Sequence, residues 1–252
     1  MRWVSDKLMS WLVRYLTAPS ARYEAFSFQE PDVLAAYLRP GDVLLVEGNQ
    51  RFSVAVKYLT QSTWSHAALF VGNAVSTSGS GTEENVLVEA DLEHGVIAVP
   101  LSKYRRLNTR ICRPVGLTVE DQERLLKFVL DRIGMAYDLK NVIDLARYLL
   151  PTPPVPVRWR RRMLALGSGE PTRIICSTMI ALAFQSIGYP ILPCVRRGKN
   201  YNESEQRYTE REILHVRHHS LFTPRDFDVS PYFRVVKPTI EQDFDYKELE
   251  WD

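Results

Sequence analysis

The order of the secondary-structure signals along the chain is the feature that most limits its fold. Residues 42–113 contain short apolar runs separated by turn residues, which is the pattern of a sheet built from short strands. Residues 118–188 instead carry apolar positions at helical spacing, with Thr118 as an N-cap and Gly188 after the last apolar turn. Strands followed by helices favour an α+β fold, in which an antiparallel sheet packs against helices.

The same patterns predict individual elements. We expect strands at 42–47, 66–71, 86–90, 95–99, 108–112 and about 232–236. We expect helices at 2–16, 32–38, 52–60, 118 to about 133, 141–150, and from about 176 to 187. With 252 residues, the chain is long enough for one sizeable catalytic domain.

Bulk properties exclude several classes of protein. The net charge of +2 is too small to indicate a nucleic-acid partner. The three cysteines have irregular spacing, which gives no disulfide framework or metal motif, and we expect no metal or other cofactor. The sequence has no uncharged apolar run of about 18 residues and no signal-peptide pattern. We predict a cytoplasmic protein, and leave a peripheral membrane contact open.

Two segments suit such a membrane contact. Residues 2–16 are amphipathic and include Trp3 and Trp11. The segment 158–162 is basic, through Arg158, Arg160, Arg161 and Arg162. Basic residues beside interfacial aromatic residues favour an anionic membrane surface. A helix packed on the core and an ordinary solvated loop are the alternatives, which the sequence leaves open.

Cys176 is the best candidate nucleophile among the cysteines. It lies where an extended segment turns into a helix. The partial positive charge at a helix start stabilises a thiolate, and the backbone N–H groups there can hold an oxyanion. Taken alone, a buried structural cysteine is the alternative. Cys112 and Cys194 lack this setting, and we interpret both as structural.

His66 and Glu89 are the polar residues that would complete a catalytic site. His66 opens an apolar strand, and Glu89 has apolar neighbours in the next main strand. A carboxylate in such surroundings is costly unless it is paired or hydrogen-bonded. If Glu89 accepts a hydrogen bond from His66, it orients the ring and stabilises its cationic form. Asp91 and His94 are reserve candidates for this role, while a satisfied core histidine and an exposed strand glutamate are the structural alternatives.

The chain order of these residues resembles a known family. Papain-type enzymes place the cysteine before the histidine, whereas here the order is His66, Glu89, Cys176, as a circular permutation would give. The sequence resembles the permuted NlpC-type papain-like cysteine hydrolases, in particular the YiiX/YaeF-like amidase group, with lecithin:retinol acyltransferase as a distant relative. The segments that carry the resemblance are 38–45, 64–72, 86–90, 134–138 and 175–178.

The resemblance implies a circularly permuted papain-like (NlpC-type) fold with the nucleophile at a helix N-terminus. It assigns Cys176 as nucleophile, His66 as base and Glu89 as the orienting group. This implies a catalytic domain at 38–240 with inserts at about 151–173 and 195–220. A helical segment at 1–37 precedes this domain, and an acidic tail at 241–252 follows it.

Three further residues are expected to contact substrate. Tyr137 precedes the cysteine segment as a tyrosine does in relatives, although a core role for it stays open. We also expect Ser177 and Trp64, which flank the two main catalytic candidates in sequence, to bind substrate. Relatives often have a glutamate where this chain has Thr178, a departure that bears on the substrate rather than on the nucleophile.

Acyl transfer is the function that this set of residues predicts. His66 would take the proton of Cys176, and the thiolate would attack a carbonyl to form a thioester that water or an amine resolves. The resemblance implies a cysteine-dependent amidase or peptidase acting on a peptide or small molecule. A membrane-associated lipid acyl hydrolase or acyltransferase is the first alternative. The second is a non-catalytic binding module on the same fold.

Overall fold

A computed structural model describes 15, 18, 30–73, 86–91, 94–135, 175–202, 207–215, 218–241, 245 and 247. For 55, 175–176, 194–202, 207–215 and 220 it describes the backbone alone. The predicted helix 141–150, the insert 151–173 with its arginine cluster, and Tyr137 lie outside the described residues. So does most of the predicted helix 2–16, of which Tyr15 is helical and places its ring 4.3 Å from the Arg51 guanidinium.

The described strands form one large sheet and one hairpin. In chain order they are β1 (Val43–Val46), β2 (His66–Gly72), β3 (Val86–Asp91), β4 (Gly95–Pro100), β5 (Thr109–Pro114), β6 (Cys194–Asn202), β7 (Arg207–His215) and β8 (Phe233–Val236). Six of them form a sheet in the order β4-β3-β2-β1-β5-β8, and every neighbouring pair is antiparallel. All six predicted strands are confirmed to within two residues at either end.

The large sheet buries both of its faces because alternate side chains of each strand point to opposite sides. Val43 and Leu45 of β1 pack in one hydrophobic cluster with the helices Val119–Leu130 and Ile175–Ser186. Leu44 and Val46 belong to a second cluster. That cluster also contains buried residues of the helix Pro31–Tyr37 and the 3₁₀ turn Leu101–Tyr104, namely Leu34, Leu101 and Tyr104.

Local signals explain where one long helix of the first face begins and where the other ends. The Thr118 hydroxyl accepts a hydrogen bond from the Asp121 N–H at 3.1 Å, which confirms the predicted N-cap. The helix Ile175–Ser186, called the cysteine helix below, has buried Met179, Ile180, Ala183 and Phe184. It is followed by Gly188, whose φ of 69° is the left-handed conformation that a glycine adopts readily after a helix.

The later part of the chain holds elements that its sequence pattern does not indicate. Strands β6 and β7 pair in antiparallel register over nine residues each, from Cys194 opposite His215 to Asn202 opposite Arg207. This hairpin occupies most of the segment predicted as a polar insert. Short helices also form at Pro224–Asp228 and Pro238–Glu241. No helix in the described ranges has both the length and the apolar character that crossing a bilayer needs.

Candidate active site

The structure brings two of the three predicted catalytic residues into contact. His66 Nε2 lies 2.7 Å from Glu89 Oε2. His66 is the first residue of β2, and its side chain is 15% exposed, whereas that of Glu89 is 1% exposed. The ring therefore lies at the edge of the protein interior, with a buried carboxylate behind it.

Glu89 binds two more donors, which sequence reasoning missed. Lys103 Nζ donates to Oε1, and the Tyr104 hydroxyl donates to Oε2. The Tyr104 ring also lies near the His66 ring, with 6.1 Å between centroids. Lys103 and Tyr104 belong to the 3₁₀ turn that follows β4. The only sequence signal for this turn is the spacing of Leu101 and Tyr104, which a single helical turn buries together.

The charge of Glu89 follows from these contacts. Burial, the strongest single influence, raises the pKa of its carboxyl, but His66 and Lys103 together lower the pKa to about 2. Glu89 is therefore a carboxylate near neutral pH and can only accept hydrogen bonds. It follows that His66 carries a hydrogen on Nε2, and that Nδ1 is the ring nitrogen that can take up a proton.

The faces of the sheet limit how a nucleophile can reach His66. Val88 and Ala90 of β3 pack in the cluster that contains the cysteine helix, so Glu89 between them points to the opposite face. Its partner Tyr104 lies in the cluster of that opposite face. His66 lies at the end of β2, so its ring is at the rim of the sheet. A group on the cysteine helix must therefore approach His66 at this rim.

The cysteine helix packs against β2 and β3, and Cys176 is its second residue. Its first turn is tied to a neighbouring segment, because the buried Ser177 hydroxyl donates to the Phe222 carbonyl at 2.8 Å. Phe222 and Trp64 belong to the same hydrophobic cluster, and Trp64 lies two residues before His66. The cysteine helix, Phe222 and Trp64 therefore pack in one cluster on the same face of the sheet. The Cys176 side chain lies outside the described atoms.

Trp64 is buried beside an ion pair at the same end of the sheet. Its indole N–H donates to Asp228 Oδ2 at 3.0 Å. Arg110 Nη1 donates to Asp228 Oδ1 at 2.6 Å, and the guanidinium carbon lies 4.9 Å from the Trp64 ring centroid. Trp64 and Ser177 thus have structural contacts of their own, and their predicted binding of substrate stays a prediction.

The remaining candidates occupy other environments. The reserve residues Asp91 and His94 contact each other at the end of β3, where Asp91 Oδ1 accepts the His94 backbone N–H at 2.5 Å. Cys112 is fully buried in β5, and burial strongly raises the pKa of its thiol, as the predicted structural role requires. Among the residues that the structure describes, no three His, Cys, Asp or Glu side chains form a group that could hold a metal ion.

A comparison with known protein families agrees with the resemblance seen in the sequence. Residues 37–148 match the family described as permuted papain-like amidase enzymes, YaeF/YiiX, C92 family. A solved structure, described as the metalloprotein YiiX from Escherichia coli O157:H7, is 16% identical, with a TM-score of 0.46. That match covers 79% of this chain and 96% of the YiiX chain. No curated protein matches the chain. Residues 37–148, which contain His66 and Glu89, are therefore similar to the permuted papain-like amidases of the YaeF/YiiX type. The described strands and helices have the predicted α+β fold, an antiparallel sheet packed against helices.

Proposed function

We propose that this protein is a cysteine hydrolase that cleaves an amide or peptide bond through a thioester on Cys176. The observation that carries the proposal is the 2.7 Å contact between His66 Nε2 and the buried Glu89 carboxylate. An ionised carboxylate behind a histidine fixes the ring and stabilises its cationic form, which is the role of the third member of a catalytic triad. The match to a family described as amidases supports an amide bond as the target.

In the proposed reaction, His66 Nδ1 takes the proton of the Cys176 thiol. The thiolate attacks the substrate carbonyl carbon, a C–S bond forms, and the carbonyl electron pair moves onto oxygen. The oxyanion then collapses, the C–N bond breaks, and His66 returns its proton to the leaving amine. A water molecule, deprotonated by His66, hydrolyses the thioester and releases the acid together with the free thiol.

The position of Cys176 in the cysteine helix supports its role as nucleophile. It is the second residue of a helix of twelve residues, so its sulfur is attached within the first turn. The N–H groups of a first helical turn have no partners within the helix, and their dipoles favour a negative charge. Such N–H groups stabilise the thiolate form of a cysteine, and the Cys176 N–H would bind the oxyanion.

Thiol reactivity tests the proposal without knowledge of the substrate. We expect the native protein to have one thiol that iodoacetamide alkylates rapidly at pH 6, where an ordinary thiol is almost fully protonated. This fast label should map to Cys176 by peptide mass spectrometry and be lost in Cys176→Ala. It should persist in Cys194→Ala, the matched control that also removes one cysteine. His66→Gln should slow the alkylation of Cys176 by about tenfold or more, because the thiolate loses its cationic partner.

The acyl-enzyme gives a second test. An activated ester such as p-nitrophenyl acetate should acylate Cys176, and the intact mass after an acid quench should rise by one acetyl group. Hydroxylamine should remove this group, as expected of a thioester. If Cys176 in the folded protein alkylates no faster than in the urea-unfolded chain and accepts no acyl group, the proposed function is wrong and a binding role is favoured.

A lipid acyl group is the alternative substrate. The features that favour it, the amphipathic helix 2–16 and the basic cluster 158–162, lie almost wholly outside the described residues, so it stays a prediction from sequence. The same holds for the peripheral membrane contact and the cytoplasmic location. Co-sedimentation with anionic vesicles, with and without residues 1–20, tests this alternative, and unchanged binding on deletion would remove the helix from it.

A further inference from the structure

The cluster around Glu89 contains two residues that the proposed reaction does not use. Lys103 Nζ binds Glu89 Oε1, while the Tyr104 hydroxyl binds Oε2, the oxygen that also contacts His66. Each carboxylate oxygen therefore has a donor from the Leu101–Tyr104 turn. Leu101 and Tyr104 are buried, which anchors the turn to the face of the sheet on which Glu89 lies.

From this arrangement we infer that Lys103 and Tyr104 are positioning residues that act on His66 through the Glu89 carboxylate. The inference rests on the proposed function, because it gives these residues a role in setting the base of Cys176. Neither residue is assigned contact with the substrate or with the reacting atoms.

The physical reason is that a buried carboxylate does not stay ionised or oriented without donors. With its side chain 1% exposed, Glu89 has almost no water to solvate its charge. If it were protonated, it would become a hydrogen-bond donor and would no longer favour the cationic form of His66. A donor on each oxygen also fixes the rotation of the carboxylate about its last bond, so that Oε2 keeps facing the ring.

Among the described residues, the strand neighbours of Glu89 and His66 do not replace these donors. Across β4, the residue opposite Glu89 is Ile97, and across β1 the residue opposite His66 is Val46, both apolar. Asp91, two residues after Glu89, adds a negative charge near the end of β3. Exposed Arg105 and Arg106 follow the turn, but no contact between them and Glu89 is described.

Lys103 and Tyr104 have different exposure and should contribute differently. The Lys103 side chain is 41% exposed, so water partly screens its charge, whereas Tyr104 is buried. After His66, Lys103 supplies the second charge that opposes the effect of burial on the pKa of Glu89. Tyr104 supplies a neutral donor held in a fixed place. Lys103 should matter most under mildly acidic conditions, where Glu89 with fewer charged partners begins to take up a proton, whereas Tyr104 should matter at every pH.

The test is the pH profile of Cys176 alkylation by iodoacetamide, measured with the full chain. In Lys103→Met we expect the low-pH limb to move to higher pH by about half a unit or more, since Glu89 then has only His66 as a charged partner against the effect of burial. Lys103→Arg keeps the charge and should restore most of the wild-type profile. Lys127→Met is the matched control, because Lys127 pairs with Asp131 at 2.9 Å on the helix Val119–Leu130, which packs on the face of the sheet opposite to Glu89. It should leave the profile unchanged.

Tyr104→Phe should lower the alkylation rate across the profile. Thermal melting checks that each variant is folded.

A double-mutant comparison tests whether Lys103 acts through Glu89. The effect of Lys103→Met on the low-pH limb of the alkylation profile should disappear when Glu89 is already replaced by glutamine. An unchanged profile in Lys103→Met, or an effect that persists in full in Glu89→Gln, overturns the inference. If instead His66→Gln also leaves the alkylation rate unchanged, the proposed function itself fails. The two failures are therefore distinguishable.

Discussion

Glu89→Gln removes one negative charge from the cluster that holds His66 and keeps the shape of the side chain. The pKa of Glu89 is lowered in the folded protein from its ordinary value of 4.5 to about 2. A group with a lowered folded-state pKa contributes stability above its unfolded-state pKa and loses it as the pH falls through the folded-state pKa. A difference of this size corresponds to about 3 kcal/mol. The wild type should therefore lose about 3 kcal/mol between pH 5 and pH 2 that Glu89→Gln does not lose.

Urea unfolding of both proteins, followed by far-UV circular dichroism at pH 5, 4, 3 and 2, measures this difference. The two chains share every other carboxylate, so the difference in their unfolding free energies isolates Glu89. About 2 kcal/mol of the change should be visible by pH 3, even if the proteins unfold at lower pH. Glu120→Gln is the control, because its 73% exposed side chain meets water in both states. Parallel curves for wild type and Glu89→Gln from pH 5 to pH 3 would refute the electrostatic account of the cluster.

Two further predictions concern stability near the site and in the scaffold. Gly48→Ala should destabilise the fold by about 1–3 kcal/mol in urea unfolding, because a Cβ there would meet the Ser53 and Ser65 hydroxyls, the latter at 2.9 Å. Adding Ser53→Ala should recover part of the loss, and a fully stable single variant would contradict this. Thr118→Ala should cost about 1 kcal/mol by removing the N-cap of the helix Val119–Leu130, while Thr118→Ser should retain most of the stability. Equal stabilities for the alanine and serine variants would contradict the capping contact.

The sequence predicts the sheet well because each strand is a short apolar run bounded by turn residues. Five strands from β1 to β5 and the late strand β8 lie where the periodicity indicates them. The contact between His66 and Glu89 follows from the cost of burying a carboxylate, which a strand glutamate with apolar neighbours on either side must offset. A buried carboxylate needs a hydrogen-bond donor, and a histidine can supply one. The two residue types therefore predict this contact, although the residues are far apart in sequence.

The other features of the fold and of the site depend on tertiary packing that no local pattern encodes. The charged residues Lys103, Arg105 and Arg106 are typical of a solvated loop. The sequence therefore does not indicate the short turn that brings Lys103 and Tyr104 into contact with Glu89. The hairpin of β6 and β7 is rich in charged residues, and strand preference alone does not distinguish it from a solvated loop. The position of β8 beside β5 is set by chain topology, since the two strands are more than 100 residues apart in sequence.

The rim of the sheet explains how a site can form from groups on opposite faces. His66 pairs with Val46, and Val46 pairs with Thr109, so the ends of three neighbouring strands lie side by side. Within the sheet, the strands separate the face of the cysteine helix from the face of Glu89. At the rim this barrier ends. In the proposed site, the ring of His66, the first residue of β2, is held by a carboxylate on one face, and the Cys176 sulfur would reach it from the other. Such a site constrains the positions of three side chains in space and leaves their order along the chain free, so the permuted order needs no change in the chemistry.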